Sequence, residues 1–297
     1  MVFTSNLVIA SEAALALYPI LIKTVPVNLT TQLVSRFLTF TVLGVIFSGL
    51  STVLKLYSPG AIGRTLGLGG ITLAHVFTSY SAFEKLPAGV AMALFYTYPV
   101  MNLIGGYVGY GETITLVQAL LVGLAIAGVI FLAQGTREDS EGMEKKGIDW
   151  EGVLAGLGAA FTETLMYFAV RTASVPNPFH STVELYSGAL LGMVGLVLAG
   201  GSGALGATAK SWLRLENGFK NWSSMTLFNT FIGFAGYALR FYAIPKMSTL
   251  AFSMLSLVGV IASFIWGLLF VSEVPNWMSI LGSFCIVAAA MVTDKKE

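Results

Sequence analysis

Apolar runs separated by short polar breaks recur ten times along the chain. They lie at roughly Leu7–Ile22, Leu33–Leu54, Leu66–Phe83, Val90–Tyr110, Leu116–Ala133, Val153–Val170, Val183–Ala199, Met225–Ile244, Leu250–Val271 and Trp277–Val292. A helix crossing a bilayer needs about 20 mostly apolar residues, and the shorter runs extend into their polar flanks to reach that length. Membrane β-barrel strands would instead alternate apolar and polar positions over short segments. These runs are continuous, so the pattern predicts an all-α membrane protein with ten transmembrane helices.

Composition agrees. Of 297 residues, 56% are hydrophobic and 10% charged, and the mean hydropathy is +0.80; soluble chains carry about a quarter charged residues. A net charge of +1 gives no reason to expect a nucleic-acid partner. The single cysteine, Cys285, lies in the last run and excludes an intrachain disulfide. The first run lacks a basic leader and carries Glu12 at its centre, so it reads as a retained helix and not a cleaved signal.

The strongly polar stretch Arg137–Glu151 holds nine charged residues in fifteen and divides the runs five and five. The expected organisation is a first five-helix repeat over 1–136, a polar linker over 137–150 and a second repeat over 151–297. An odd number of crossings per half makes homologous halves inverted in the membrane. A shift of 148 residues sets Lys23-Thr24 on Arg171-Thr172 and Gly44 on Gly192, though it also sets Arg36 on Glu184. Further on, a shift of 161 sets Tyr80 on Phe241, Ala82 on Ala243, Lys85 on Lys246, Gly106 on Gly267 and Glu112 on Glu273. Inverted repeats recur in secondary transporters, with substrate held near mid-membrane between them.

The hairpin of the third and fourth runs, Tyr80 to Glu112, has Pro99 midway and small residues after it. Together with Lys23 closing the first run and Arg36 opening the second, it resembles the drug/metabolite transporter superfamily, especially its EamA-type ten-helix members. That resemblance implies alternating-access transport of a small metabolite, with amino acids or related compounds favoured, and cytoplasmic termini. The loop charges alone lean slightly the other way, with about eight basic residues in the odd loops and six in the even loops and termini. Val260 stands at the position matching Pro99, so any kink in the ninth helix has to come from Gly259.

Ionisable groups inside the runs are the candidate chemistry, because a charge at the bilayer centre costs about 2.5–3.5 kcal/mol or more and therefore faces the protein interior. Glu12, His75 and Glu163 lie mid-run; Arg36, Glu184 and Arg240 lie nearer the ends, within snorkelling reach of the interface. Helical spacing puts Glu163, Tyr167 and Arg171 on one face, and Glu12 with Ala16, Pro19 and Lys23 on the corresponding one. Leu68, Thr72, His75 and Ser79 form a stripe that the 161 shift carries onto Asn229, Gly233, Gly236 and Arg240. In the fourth run Tyr98, Asn102 and Gly105 share a face, and Pro99 frees the Phe95 carbonyl.

The expected substrate cavity is lined by Glu12, His75, Tyr98, Asn102, Glu163, Tyr167, Asn229, Tyr237 and Arg240, with Pro99 as the helix kink. Its carboxylates and His75 suit an ammonium or a coupling proton. Competing readings are plainer: Glu12 and Glu163 as structural partners of Arg240, Arg36 or His75, and His75 as a neutral ring bonded to Ser79 or Thr72. Glu112 and Glu273 end their runs and are expected to cap or pair locally. Gly105-Gly106-Gly109 and Gly152/Gly156 are expected to let helices approach closely.

Two histidines and one cysteine make no familiar zinc site, and no phosphate-cradling loop is present. The expectation is therefore a secondary transporter and not an enzyme, with no cofactor. Its partners are a small-molecule substrate, the lipid bilayer and a candidate proton, with monomer and homodimer both open. The cell (inner) membrane is favoured over an organelle membrane. Two alternatives stand beside it: an antiporter of phosphorylated metabolites or nucleotide sugars, and a membrane scaffold or sensor whose internal charges are structural.

Overall fold

The computed structural model describes residues 2–110, 115–135, 148–173, 175, 177–198, 218–247, 252 and 255–292. Most of the polar linker, Glu112 and most of the loop between the seventh and eighth runs lie outside these residues, as do the expectations attached to them. Every regular element among the described residues is a helix.

In chain order these are α1 (Val2–Leu15), α2 (Tyr18–Thr24), α3 (Leu29–Ser48), α4 (Leu50–Leu56), α5 (Ile62–Lys85), α6 (Ala88–Phe95), α7 (Tyr98–Tyr110) and α8 (Leu116–Gly135). After the linker come α9 (Trp150–Arg171), α10 (Pro178–Leu198), α11 (Gly218–Phe228), α12 (Ala235–Ala243), α13 (Val258–Val271) and α14 (Trp277–Val292). A π-helical turn, Asn229–Phe234, joins α11 to α12.

Phe3–Thr24, Leu29–Ser48, Ala88–Val108 and Trp150–Arg171 are long and apolar enough to cross a membrane. Ala119–Leu132, Val258–Val271 and Trp277–Ala289 are shorter apolar helices. At 24 residues α5 is long enough but more polar, since it carries His75 and Ser79 toward the interior, and the 21-residue α10 buries Glu184. Large apolar side chains cover the outside, among them Leu54, Val108, Phe231, Phe270 and Phe284, while Glu12, Arg36, His75, Glu163 and Arg240 are buried. An apolar exterior around a charged interior suits lipid as the surrounding medium.

Helix ends follow local chemistry. Asn28 caps α3 by accepting the Thr31 N–H at 2.8 Å, and Asp149 caps α9 by accepting that of Gly152 at 2.9 Å. The segment α1–α2 breaks ahead of Pro19: Leu17 N–H reaches back to Ala14 and not to Ala13, whose carbonyl instead accepts the Trp266 indole N–H at 3.0 Å. A similar break separates α6 from α7 ahead of Pro99, where Thr97 N–H bonds Leu94. The ninth segment also breaks, at Leu257, although it has no proline there. Its break borders Gly259, where a side chain would strike the Tyr96 ring.

The packing runs between the halves. Helix α5 packs on α9 and α10, α3 on α10, and α6 on α9 and α13. Helix α1 packs on α12 and α13, the π turn on α3, and α8 on α14. The crossing of α5 and α10 brings Gly69 and Gly188 backbone to backbone, and that of α8 and α14 does the same at Gly128 and Gly282. Gly105 faces Phe168, Gly152 faces Leu86 and Gly156 faces Leu94, so small residues admit large neighbours at those sites too.

Candidate functional site

The four central ionisable groups meet in a chain of contacts. Arg240 Nη2 lies 2.8 Å from Glu163 Oε1, and its Nε lies 3.5 Å from Glu12 Oε1. Glu163 Oε2 in turn lies 3.4 Å from His75 Nε2. The elements contributing them are α1, α5, α9 and α12, two from each half of the chain, and all four side chains are 2% exposed or less. Tyr96 donates its hydroxyl to Glu12 Oε2 at 2.5 Å, and Ser256 donates to Oε1 at 3.4 Å. The guanidinium of Arg240 lies over the rings of Tyr98, Tyr237 and Phe252 at 5.2, 5.8 and 5.5 Å.

His75 is not bonded to Ser79 or Thr72; those hydroxyls return to backbone carbonyls of their own helix, Val76 and Leu68. Its Nδ1 sits 3.2 Å from the Ala159 carbonyl and 3.3 Å from the Thr162 hydroxyl, and the tautomer that carries its proton on Nδ1 donates to that carbonyl. In the neutral ring Nε2 is then a lone pair facing the Glu163 carboxylate. Glu163 Oε2 has no hydrogen-bond partner. A single proton placed between Nε2 and Oε2 satisfies both atoms.

Arg36 and Arg240 do not snorkel. Both are buried, at 2% and 1% exposure, because the neighbouring helices close over the ends of their own segments. Arg36 sits in an aromatic cage, with Tyr18, Tyr237, Phe40, Tyr80 and Tyr186 between 4.5 and 5.6 Å of its guanidinium carbon. It donates to the hydroxyls of Tyr186 and Tyr80 at 2.9 and 3.4 Å.

The other expected lining residues spread around this centre. Tyr98 and Tyr237 touch it through Arg240. Asn229, in the π turn, accepts from Tyr18 at 3.1 Å and donates to Ser35 at 3.2 Å. Tyr167 stacks near Phe252 at 5.6 Å and accepts from Arg171 at 2.8 Å. Asn102 is buried with neither end of its amide bonded, among the described residues. Sequence reasoning missed Tyr96, Ser256 and the aromatic cage. Nothing in the helical spacing of Tyr96 sets it apart from Tyr98, and Tyr80 entered only as a repeat marker.

An internal cavity of about 20 Å³ joins the two arginines. Arg36, Arg240, His75, Tyr18, Phe95 and Tyr237 are among the residues around it. That is room for one water. A larger cavity of about 540 Å³ opens at one end of the bundle, beside Pro87, Glu273 and Asn276. Its carboxylate, Glu273, is already committed: it accepts the Ala88 N–H at 2.5 Å at the start of α6 and pairs with Lys23. Glu273 thus caps and pairs, but with segments distant in sequence.

Residues 4–134 match the EamA-like transporter family. That stretch, under half of the chain, is similar to an EamA-like unit. The human protein Solute carrier family 35 member G1 is 24% identical over 222 residues, covering 71% of this chain; the chain spans 56% of that relative's length. Both matches agree with the drug/metabolite transporter superfamily. One solved crystal structure superposes with a TM-score of 0.60, covering 98% of this chain and 95% of its own. At 17% identity the likeness is one of fold. The EamA-like unit supplies Glu12, Arg36, His75 and Tyr96 to the buried centre, and the second half supplies Glu163, Tyr237 and Arg240.

Proposed function

We propose that this protein is a secondary transporter that moves a small organic metabolite across a membrane by alternating access, with amino acids and related compounds as the favoured class. The observation that carries the reading is the ion network Glu12–Arg240–Glu163–His75, buried and assembled from both halves. A fixed scaffold gains little from such a centre, since apolar residues of similar volume often serve stability as well or better.

Ten crossings in two inverted repeats make the framework, and two features of the packing support it. Exchanging corresponding helices of the two halves maps the pair α5–α9 onto α12–α1, the pair α5–α10 onto the contact of the π turn with α3, and α6–α9 onto α13–α1. Contacts between helix ends also obey ten-fold alternation. Lys23–Glu273, Lys85–Glu151 and Gly135–Asn276 join ends that it assigns to one side. Arg64–Glu184 joins the start of α5 to the first half of α10, which it assigns to the other.

His75 and Glu163 are the proposed proton site, facing each other across 3.4 Å with one proton to share. The charged groups around them are Arg240, paired with Glu163, then Glu12 beyond it and Arg36 across the small cavity. An outward or inward step that separates α5 from α9 would release that proton. A phosphorylated substrate is the weaker reading, because Arg240 is held by two carboxylates and is not free to meet a dianion.

The test is uptake of labelled metabolites into liposomes containing the purified protein. Transport should be saturable, rise with an imposed pH gradient and fall at least tenfold in Glu163→Gln. His75→Gln should retain exchange but lose the response to the gradient. Normal transport by both variants would remove the network from the mechanism.

A further inference from the structure

Ion pairing is uneven around the central cavity, although its formal charges sum to zero. Two carboxylates and two arginines lie at or near it, yet both carboxylates, Glu12 and Glu163, are held on Arg240. Among the described residues no carboxylate lies within ion-pair distance of Arg36. Glu184, which repeat alignment sets opposite it, is taken by Arg64 at 2.8 Å. Arg36 is left with aromatic faces and two tyrosine hydroxyls, and its Nε–H, fully buried, has no acceptor. Guanidinium is the side chain that cannot escape this cost by losing its proton. Burial of an ion is costly unless an opposite charge joins it.

We propose that Arg36 is the anchor for a carboxylate of the transported molecule. This rests on the transporter reading and adds the chemical class of the substrate: a small molecule with one carboxylate and an apolar body. The unpaired charge at Arg36 is one unit, which a single carboxylate matches and a phosphate dianion exceeds. The remaining cavity wall, with Leu15, Phe83, Met92 and Phe95, suits a hydrocarbon or aromatic body. The tyrosines help as well. Tyr80 and Tyr186 accept from Arg36 through their oxygens, which leaves their own protons free to donate to the same oxyanion. A substrate ammonium is dispensable, because neither buried carboxylate is unengaged. The cavity has room for one water, so substrate entry requires the cage to part.

The experiment compares matched acids and amides on the full-length protein in detergent, at constant ionic strength, by thermal shift. The probes are 4-methylpentanoate, phenylacetate, L-leucine and L-phenylalanine, each beside its primary amide. The acids, with or without the amino group, should raise Tm by several degrees, the amides should not, and Arg36→Gln should abolish the shift. Arg36→Gln should itself melt within a few degrees of wild type, since it removes a buried charge that has no ion-pair partner and keeps a donor for the tyrosines. Arg36→Lys, which retains the charge, should keep part of the acid shift. Equal shifts from acids and amides, acid shifts that survive Arg36→Gln, or no shift from any acid would overturn the proposal.

Liposome uptake of the best acid separates this from the transport reading. Arg36-dependent binding without uptake leaves the anion site standing and removes the transporter. Saturable uptake of an amide that is indifferent to Arg36→Gln does the reverse.

Discussion

At the residue scale, Arg240 holds the centre because it is the one cation shared by carboxylates from both halves. Removing one partner of a buried pair commonly costs about 3–5 kcal/mol, since it leaves the other charge uncompensated. Arg240→Met strands two carboxylates and should destabilise by at least that range, whereas Glu12→Gln leaves Glu163 to balance the arginine and should cost less. Unfolding in mixed micelles will measure both. In double-mutant cycles, Arg240→Gln should couple to Glu163→Gln and to Glu12→Gln by about 0.5–3 kcal/mol. Additive effects would contradict the geometry. Much of this centre was legible in the sequence. Glu12, His75 and Glu163 stand out because a membrane interior makes ionisable residues expensive. Their partners were not legible: Arg240 sits close enough to a segment end to pass for an interface residue, and only the packing of neighbouring helices buries it.

At the element scale, the breaks in the helices matter as much as their apolar faces. Proline marks two of them, at Pro19 and Pro99. The third, at Leu257, has no proline and rests on packing: Gly259 leaves the space into which Tyr96 fits, and Tyr96 holds Glu12. Gly259→Val should therefore displace the Tyr96 ring, lower the melting temperature and reduce uptake, while Gly67→Ala on the open face of α5 should do neither. An unchanged Gly259→Val protein would show that the ring has room elsewhere. With Val260 in the place of Pro99, the sequence lacks the familiar proline signal and leaves Gly259 as the source of any kink. A glycine that accommodates a ring from another helix leaves no such local mark.

Across the whole molecule, alternation of the ten segments makes a labelling prediction. In a Cys285→Ser background, Lys85→Cys and Glu151→Cys, which occupy a salt-bridged pair, should react with an impermeant thiol reagent from the same side of a sealed vesicle. Arg64→Cys should react from the opposite side. All three reacting from one side would exclude five crossings per half. The sequence by itself determined the helical, membrane-embedded character of the chain, the recurring stripes and the residues too costly to face lipid. It could do so because hydrophobic period and the cost of buried charge are local properties, written in each segment. Which charges neutralise one another was decided only by the tertiary structure. Pairing depends on side chains more than 200 positions apart in sequence, as with Glu12 and Arg240. The same distance-blindness hid the imbalance at Arg36, which becomes visible only once every nearby carboxylate has been assigned to another partner.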